Sequence, residues 1–320
     1  MRRALGCLLV TLTPATALAQ TVEQFRDDLR QRIRESHYPA FLGTFAGLAS
    51  DGQMSLGTLE AEDGTELTMF ALPWQHDYKA SDSTPSLRLS ASIGYSRARN
   101  RIDDLWDGAL PGSETGLHSR YEAWAFDFGI GPIVPLPAAF TFVPEAHLGA
   151  AYIENTSYYT GPGAQLSSSL LDGLLFNWQQ GSLSYGASFA LEYNGWETPS
   201  VKWMPSLRYD VRQSEPVFVD DPGLNVESTQ QWLTARLAGT GPIAATWPFP
   251  DANWRLSFGY RRLLGDSARP MGFEDFYELG AGLEWQMPDA LPLLSTATLH
   301  GALQLGEDVT GWTVGVSVTF

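Results

Sequence analysis

Gly311-Trp312-Thr313-Val314-Gly315-Val316-Ser317-Val318-Thr319-Phe320 alternates without a break. Trp312, Val314, Val316, Val318 and Phe320 are apolar, and the residues between them are small or polar. A strand sends successive side chains to opposite faces, so this stretch has one apolar face and one small polar face. Its length is about what a tilted strand needs to cross a bilayer. The alternative is an edge strand of a soluble sandwich.

The other end of the chain points the same way. Arg2 and Arg3 precede the short apolar stretch Ala4 to Leu12, and Ala17-Leu18-Ala19 has the form of a cleavage site. Residues 1–19 therefore read as a signal peptide, with a mature chain from Gln20. The apolar stretch is too short to span a bilayer as a helix. The single cysteine, Cys7, lies inside it, so the mature chain has no disulfide and no cysteine-based metal or redox site. The formal charge is −16, which argues against nucleic acid as a partner. No later stretch has the ~20 continuous apolar residues of a membrane helix.

Residues 20–51 read as a helix and a linker. Val22, Phe25, Leu29 and Ile33 share one helix face, with Arg26, Asp27, Asp28, Arg30, Arg32, Arg34 and Glu35 around the rest. Such a helix sits either outside a barrel or against its lumen, with its charges paired there.

From residue 52 to 320 the chain reads as one domain, an all-β, antiparallel up-and-down transmembrane barrel of about twelve strands. Asp63-Gly64 is a hairpin signal between the first two strands. Later strands alternate clearly, as in Trp124, Phe126, Phe128, Ile130 and in Tyr277, Leu279, Ala281, Leu283, Trp285. Several apolar faces carry an aromatic residue at both ends, as interface girdles require. Connections after even-numbered strands are compact and Pro-rich, whereas those after odd-numbered strands are longer and polar. The longest runs roughly from Asn155 to Gln180. In an up-and-down barrel the odd connections lie opposite the termini.

Charges fall on the other strand faces and are expected in the lumen: Arg88, Glu122, Asp127, Glu145, His147, Glu192, Arg208, Asp210, Arg212, Arg236, Arg255, Arg261, Glu278, Glu284 and His300. A charge facing lipid costs ~2–4 kcal/mol at the midplane, which sets this orientation. These residues make either a salt-bridge lattice filling a narrow lumen or a charged constriction for small solutes. No nucleophile motif, metal-ligand cluster or phosphate loop stands out. The His118-Ser119 dipeptide and the Glu145/His147 pair carry too little to assign a catalytic residue or a cofactor.

The leader, the short helix, about twelve strands and the terminal Val316-Ser317-Val318-Thr319-Phe320 together make a pattern. Its last strand resembles the sorting and assembly signal of bacterial outer-membrane barrels. The whole resembles the solitary outer-membrane autotransporter-type β-barrel family, whose members carry no secreted passenger. The resemblance implies a twelve-stranded barrel in the outer membrane of a Gram-negative-type bacterium, and it transfers no functional residue. On that basis the termini are expected to be periplasmic and the long loops extracellular. The expected partners are outer-membrane lipid and lipopolysaccharide, and the barrel assembly machinery through Trp312, Val314, Val316, Val318 and Phe320. The expected role is a small channel or a structural surface protein, not an enzyme. The alternatives are a barrel enzyme acting on lipid or lipopolysaccharide, and a loop-based adhesin or receptor.

Overall fold

The computed structural model describes residues 22–36, 38–49, 56–61, 64–78, 86–106, 114–198, 200–243, 252–265, 271, 273–286 and 296–319. The leader and Phe320 lie outside the described residues. Two helices come first, α1 (Val22–Glu35) and α2 (Tyr38–Ala49). The strands are β1 (Leu56–Ala61), β2 (Glu66–Tyr78), β3 (Leu87–Ile102), β4 (Gly116–Pro132), β5 (Phe140–Thr160), β6 (Trp178–Tyr193), β7 (Lys202–Val219), β8 (Ser228–Pro242), β9 (Ala252–Leu264), β10 (Asp275–Gln286), β11 (Thr296–Leu305) and β12 (Val309–Thr319). A third helix, α3 (Ala164–Leu171), lies in the β5–β6 connection.

Each of the twelve strands pairs antiparallel with its sequence neighbours, and β12 pairs with β1, opposing Val314 to Leu56 and Val309 to Ala61. The sheet is therefore a closed barrel, and closure leaves no strand edge unpaired in the lipid. No described helix is long and apolar enough to cross a membrane.

Alternation governs every strand. On β5 the odd positions Val143, Glu145, His147 and Ile153 are buried, while Leu148 on the other face is 66% exposed. Registers line up side chains of one face across several strands, as in the row Phe70, Tyr95, Trp124, Tyr152 towards the loop end. Trp203, Trp254 and Trp285 lie outward near the opposite end, here called the turn end. The two aromatic levels bracket a band of Leu, Phe and Ile that the bilayer covers.

In the first hairpin β1 is described from Leu56, and Gly64 at φ 77° donates its N–H to the Ala61 carbonyl at 2.9 Å. That positive φ suits glycine, which has no Cβ to clash.

The segment expected to be a linker contains α2. Its sequence, Tyr-Pro-Ala-Phe-Leu-Gly-Thr-Phe-Ala-Gly-Leu-Ala, has no helical stripe because it is buried nearly all round. Pro39 fits the first turn, where its missing N–H costs nothing. The helix lies in the loop-end half of the lumen. Phe41 and Phe45 stack 5.8 Å apart, Phe41 meets the Tyr121 ring edge at 5.5 Å, and Tyr38 donates to the Leu175 carbonyl at 3.2 Å. Gly43 lies so close to the Gln230 and Ser228 side chains of β8 that a Cβ there would push them aside. Leu59, Met69, Leu117, Ile153, Trp178 and Phe276 complete the apolar core around α2. Burying a side chain of this size contributes about 1.5–3 kcal/mol. Such a core is possible because the strands outrun the bilayer: β5 has 21 residues, whereas a tilted strand needs roughly 9–11 to cross.

α1 caps this core at the loop end. Phe25, Leu29 and Ile33 are buried as one stripe, while Val22 is exposed beyond the core, unlike its expected place on that stripe. Arg30 holds Asp221 in the β7–β8 loop through two bonds, Nε to Oδ1 at 2.9 Å and Nη2 to Oδ2 at 2.8 Å. Arg26 donates to the Asp172 carbonyl at 3.0 Å. Burial would raise the Asp221 pKa, but the Arg30 hydrogen bonds, the Gly223 N–H and the nearby arginine charges outweigh it and hold the carboxyl below its ordinary value. The first and last described residues lie at opposite ends of the barrel. Val22 begins α1 at the loop end, and Thr319, opposite Thr296, ends β12 at the turn end. α2 lies inside the lumen because an apolar helix cannot remain in water while an apolar inner surface is vacant.

Candidate functional site: a charged belt in the lumen

Below α2 the inner surface changes from apolar to charged. The inward positions of β3 to β7 supply an acidic and basic cluster. Arg88 reaches Asp77 of β2 (Nε to Oδ1, 2.8 Å) and Glu192 of β6 (Nη1 to Oε1, 2.6 Å). Glu145 is buried and accepts from Ser90 at 2.9 Å, Arg208 at 3.2 Å and Ser188 at 3.4 Å. Arg208 also binds Asp210 at 3.0 Å, and Arg212 binds Asp127 and lies 3.6 Å from Asp210. Arg88, Glu145, Arg208, Asp210, Arg212 and Asp127 each have more than one partner, which a buried charge requires.

His147 sits at the centre of this cluster. Its Nδ1 is 2.8 Å from Asp127 Oδ1, and its Nε2 is 3.0 Å from Ser188 Oγ. The order carboxylate, imidazole, hydroxyl is that of a hydrolytic triad. Two contacts distinguish it from one. The Ser188 hydroxyl is fully buried and also donates to Glu145, and the Asp127 carboxylate is shared with Arg212. A cavity of about 180 Å³ between α2 and the cluster is lined by Asp127 and His147 but not by Ser188.

The inward positions of β8 to β11 form the other arc. Arg255 pairs with Glu284 at 3.2 Å, Glu278 accepts from Gln304 at 3.3 Å, and Arg261 lies over the Phe276 ring at 5.9 Å. Arg236 and His300 face a cavity of about 520 Å³ with Arg88, Glu192, Arg208 and Arg255, and this cavity reaches Tyr193 and Asn194 at the turn end. Arg236 Nε has no hydrogen-bond partner among the described residues. Among the described residues the lumen is thus stoppered at the loop end and hollow at the turn end. No group of three His, Cys, Asp or Glu that could hold a metal occurs among the described residues.

Glu122 is a correction. It shares parity with Trp124 and Phe126, and it lies on the outer face, bound by Arg97 at 2.7 Å, Arg120 at 3.1 Å and the Tyr95 hydroxyl. A charge is tolerated there because the position lies beyond the aromatic row, above the hydrocarbon. The other fourteen residues expected in the lumen, Arg88 to His300, occupy inward positions. Asp77 and the inward serines Ser90 and Ser188 escaped the sequence reading. Asp77 could have been found from its parity, since Trp74, His76 and Tyr78 alternate with it. The serines carry no such signal. On β12, Trp312, Val314 and Val316 point outward, Val318 opposes Ala297, and Phe320 lies outside the described residues.

The sequence profile of the solitary outer membrane autotransporter beta-barrel domain matches residues 50–317. The chain belongs to this family. Its fold places it in the bacterial outer membrane. No curated protein sequence matches it. Among solved structures, it is similar to the translocator domain of the autotransporter NalP from Neisseria meningitidis, with 11% identity, TM-score 0.47, and coverage of 83% of this chain and 86% of that one. It is also similar to the transport unit of AIDA-I from Escherichia coli, with 12% identity, TM-score 0.47, and coverage of 83% and 88%. A third likeness is to a Pseudomonas aeruginosa FadL homologue, with 12% identity, TM-score 0.47, and coverage of 80% and 68%.

Proposed function

We propose that this family member is a stoppered surface barrel, a structural outer-membrane protein that stays closed to solutes unless α2 leaves the lumen. The observation that carries this reading is α2 itself. Its aromatic residues close the loop-end half of the bore, and α1 is clamped over it by Arg26 and Arg30. The charged belt then serves as a lattice that fills and fixes the lower lumen, and the loops face outward. The protein takes outer-membrane lipid around its apolar band and reaches the membrane through the assembly machinery.

Planar-bilayer conductance tests the reading. The intact protein should show no steady current, and Phe41→Ala/Phe45→Ala should open frequent steps. A steady current from the intact protein refutes the stopper. The belt is proposed as structural and not hydrolytic, because Ser188 lies outside the cavity and shares its hydroxyl with Glu145. Covalent labelling of Ser188 by a fluorophosphonate, lost in His147→Gln, would overturn that and support the enzyme reading.

A further inference from the structure

The outer wall carries a second charged feature, unrelated to the lumen. β3 and β4 place Arg97, Arg99, Arg101 and Arg120 on the lipid-facing side, together with His118. The chain as a whole is acidic, at −16, and along the described strands the other outward arginine is Arg262 on β9. The remaining outer wall near the loops carries Glu60, Glu66, Glu154, Glu215 and Asp275. The arginines are therefore gathered on one pair of strands.

Their height is set by register. The ring row Tyr95, Trp124, Tyr152 marks the interface. One step above it lie Arg97, Glu122 and Glu154, and one further step brings Arg99 opposite Arg120. Each step is two residues, ~7 Å along a strand and roughly 5 Å along the membrane normal at the usual tilt. The guanidinium groups thus stand about 5–10 Å above the rings, at the level of lipid headgroups.

Two of these arginines share one carboxylate. Glu122 serves Arg97, Arg120 and the Tyr95 hydroxyl together, and Arg97 is pinned over the Tyr95 ring at 5.6 Å. Arg101 is taken by Asp103 at 3.2 Å. Arg99 forms no ion pair among the described residues, although Glu66 lies opposite it on β2. Arg99 and Arg120 face each other directly across β3 and β4, and like charges so placed repel. A bound anion between them removes that repulsion, and a phosphate accepts from two guanidinium forks at once.

We propose that Arg97, Arg99 and Arg120 form a binding site for a phosphate of lipid A, the phosphorylated glycolipid of the outer leaflet. The acyl chains would lie down the apolar wall past Trp124, Phe126 and Ile93, which are outward and exposed. This deepens the surface-barrel reading and rests on its loops facing outward.

The test uses the full mature protein in phosphatidylcholine vesicles, with lipid A, dephosphorylated lipid A or inorganic phosphate added. Wild type should bind lipid A, raising its unfolding temperature, and should respond to neither of the other two. Arg99→Gln/Arg120→Gln should bind lipid A roughly 30-fold more weakly, as expected for two arginines at an anionic lipid surface. Arg262→Gln should bind as wild type does. Equal binding by the double variant, or equal binding of dephosphorylated lipid A, overturns the site. A response to inorganic phosphate alone also overturns it, since the ligand would then be a free ion. Labelling of Ser168→Cys on whole cells by an impermeant maleimide, run in parallel, reads loop orientation. Absence of label refutes the outward loops, whatever the vesicles show, and conductance tests the stopper independently of both.

Discussion

Replacing Arg208 by methionine should damage the barrel far more than replacing its partner Glu145 by glutamine. The Glu145 side chain is fully buried, at 0% exposure, whereas Arg208 is 25% exposed towards the turn-end cavity. Arg208→Met leaves Glu145 with only the Ser90 and Ser188 hydroxyls, and leaves Asp210 with Arg212 at 3.6 Å. Removing one partner of a buried pair costs about 3–5 kcal/mol, because the remaining charge is uncompensated. Glu145→Gln keeps an acceptor for Ser90 and Ser188, and Arg208 retains Asp210 at 3.0 Å. That change should cost about 1 kcal/mol, the scale of one net hydrogen bond. The double variant should lie nearer to Glu145→Gln than to Arg208→Met, so that the cycle shows a coupling of at least ~2 kcal/mol. Urea unfolding from lipid vesicles, followed by tryptophan fluorescence, reads all four proteins. If Arg208→Met costs under ~1 kcal/mol, or less than Glu145→Gln, the belt is not a buried electrostatic lattice.

Two further outcomes follow from position. Ala281, outward between Leu256 and Gly301, lies midway between Tyr277 and Trp285, so Ala281→Arg should cost ~2–4 kcal/mol in the same assay. Leu283→Arg, beside Trp254 near the turn end, should cost clearly less, and equal costs would refute the placement of the band. The Asp221 carboxyl is depressed by Arg30, so the clamp on α1 has its full strength above the ordinary carboxylate pKa of about 4 and loses it as pH falls through the lower folded value. Protection of the α1 amides, taken relative to their intrinsic exchange rate at each pH, should therefore be high at pH 5 and fall well below pH 4, with Asp221→Asn poorly protected at both. Uniform protection across that range would remove Asp221 from the clamp.

Much of this protein follows from residue order alone. The period-2 runs determined the strands, their number and the side of each that meets lipid, because a strand's alternation is local and lipid penalises any exception. The terminal run 311–319 and the row Tyr277 to Trp285 show this most plainly. Glu122 shows the limit: its parity with Trp124 was legible, but whether a charge of that parity is forbidden depends on height, and height comes only from the register between strands. The lower-lumen charges were legible as a set, yet their pairing was not. Asp127, His147 and Ser188 meet through the register of three consecutive strands, and Arg88, already opposite Asp77, reaches Glu192 only because the sheet curls round the lumen. Only the tertiary structure decided the place of α2. Its twelve residues carry no amphipathic stripe, since every side faces protein, so neither its helicity nor its position inside the bore had a local signature. A closed barrel with an apolar upper inner wall supplies both, and that wall exists only once β12 has met β1.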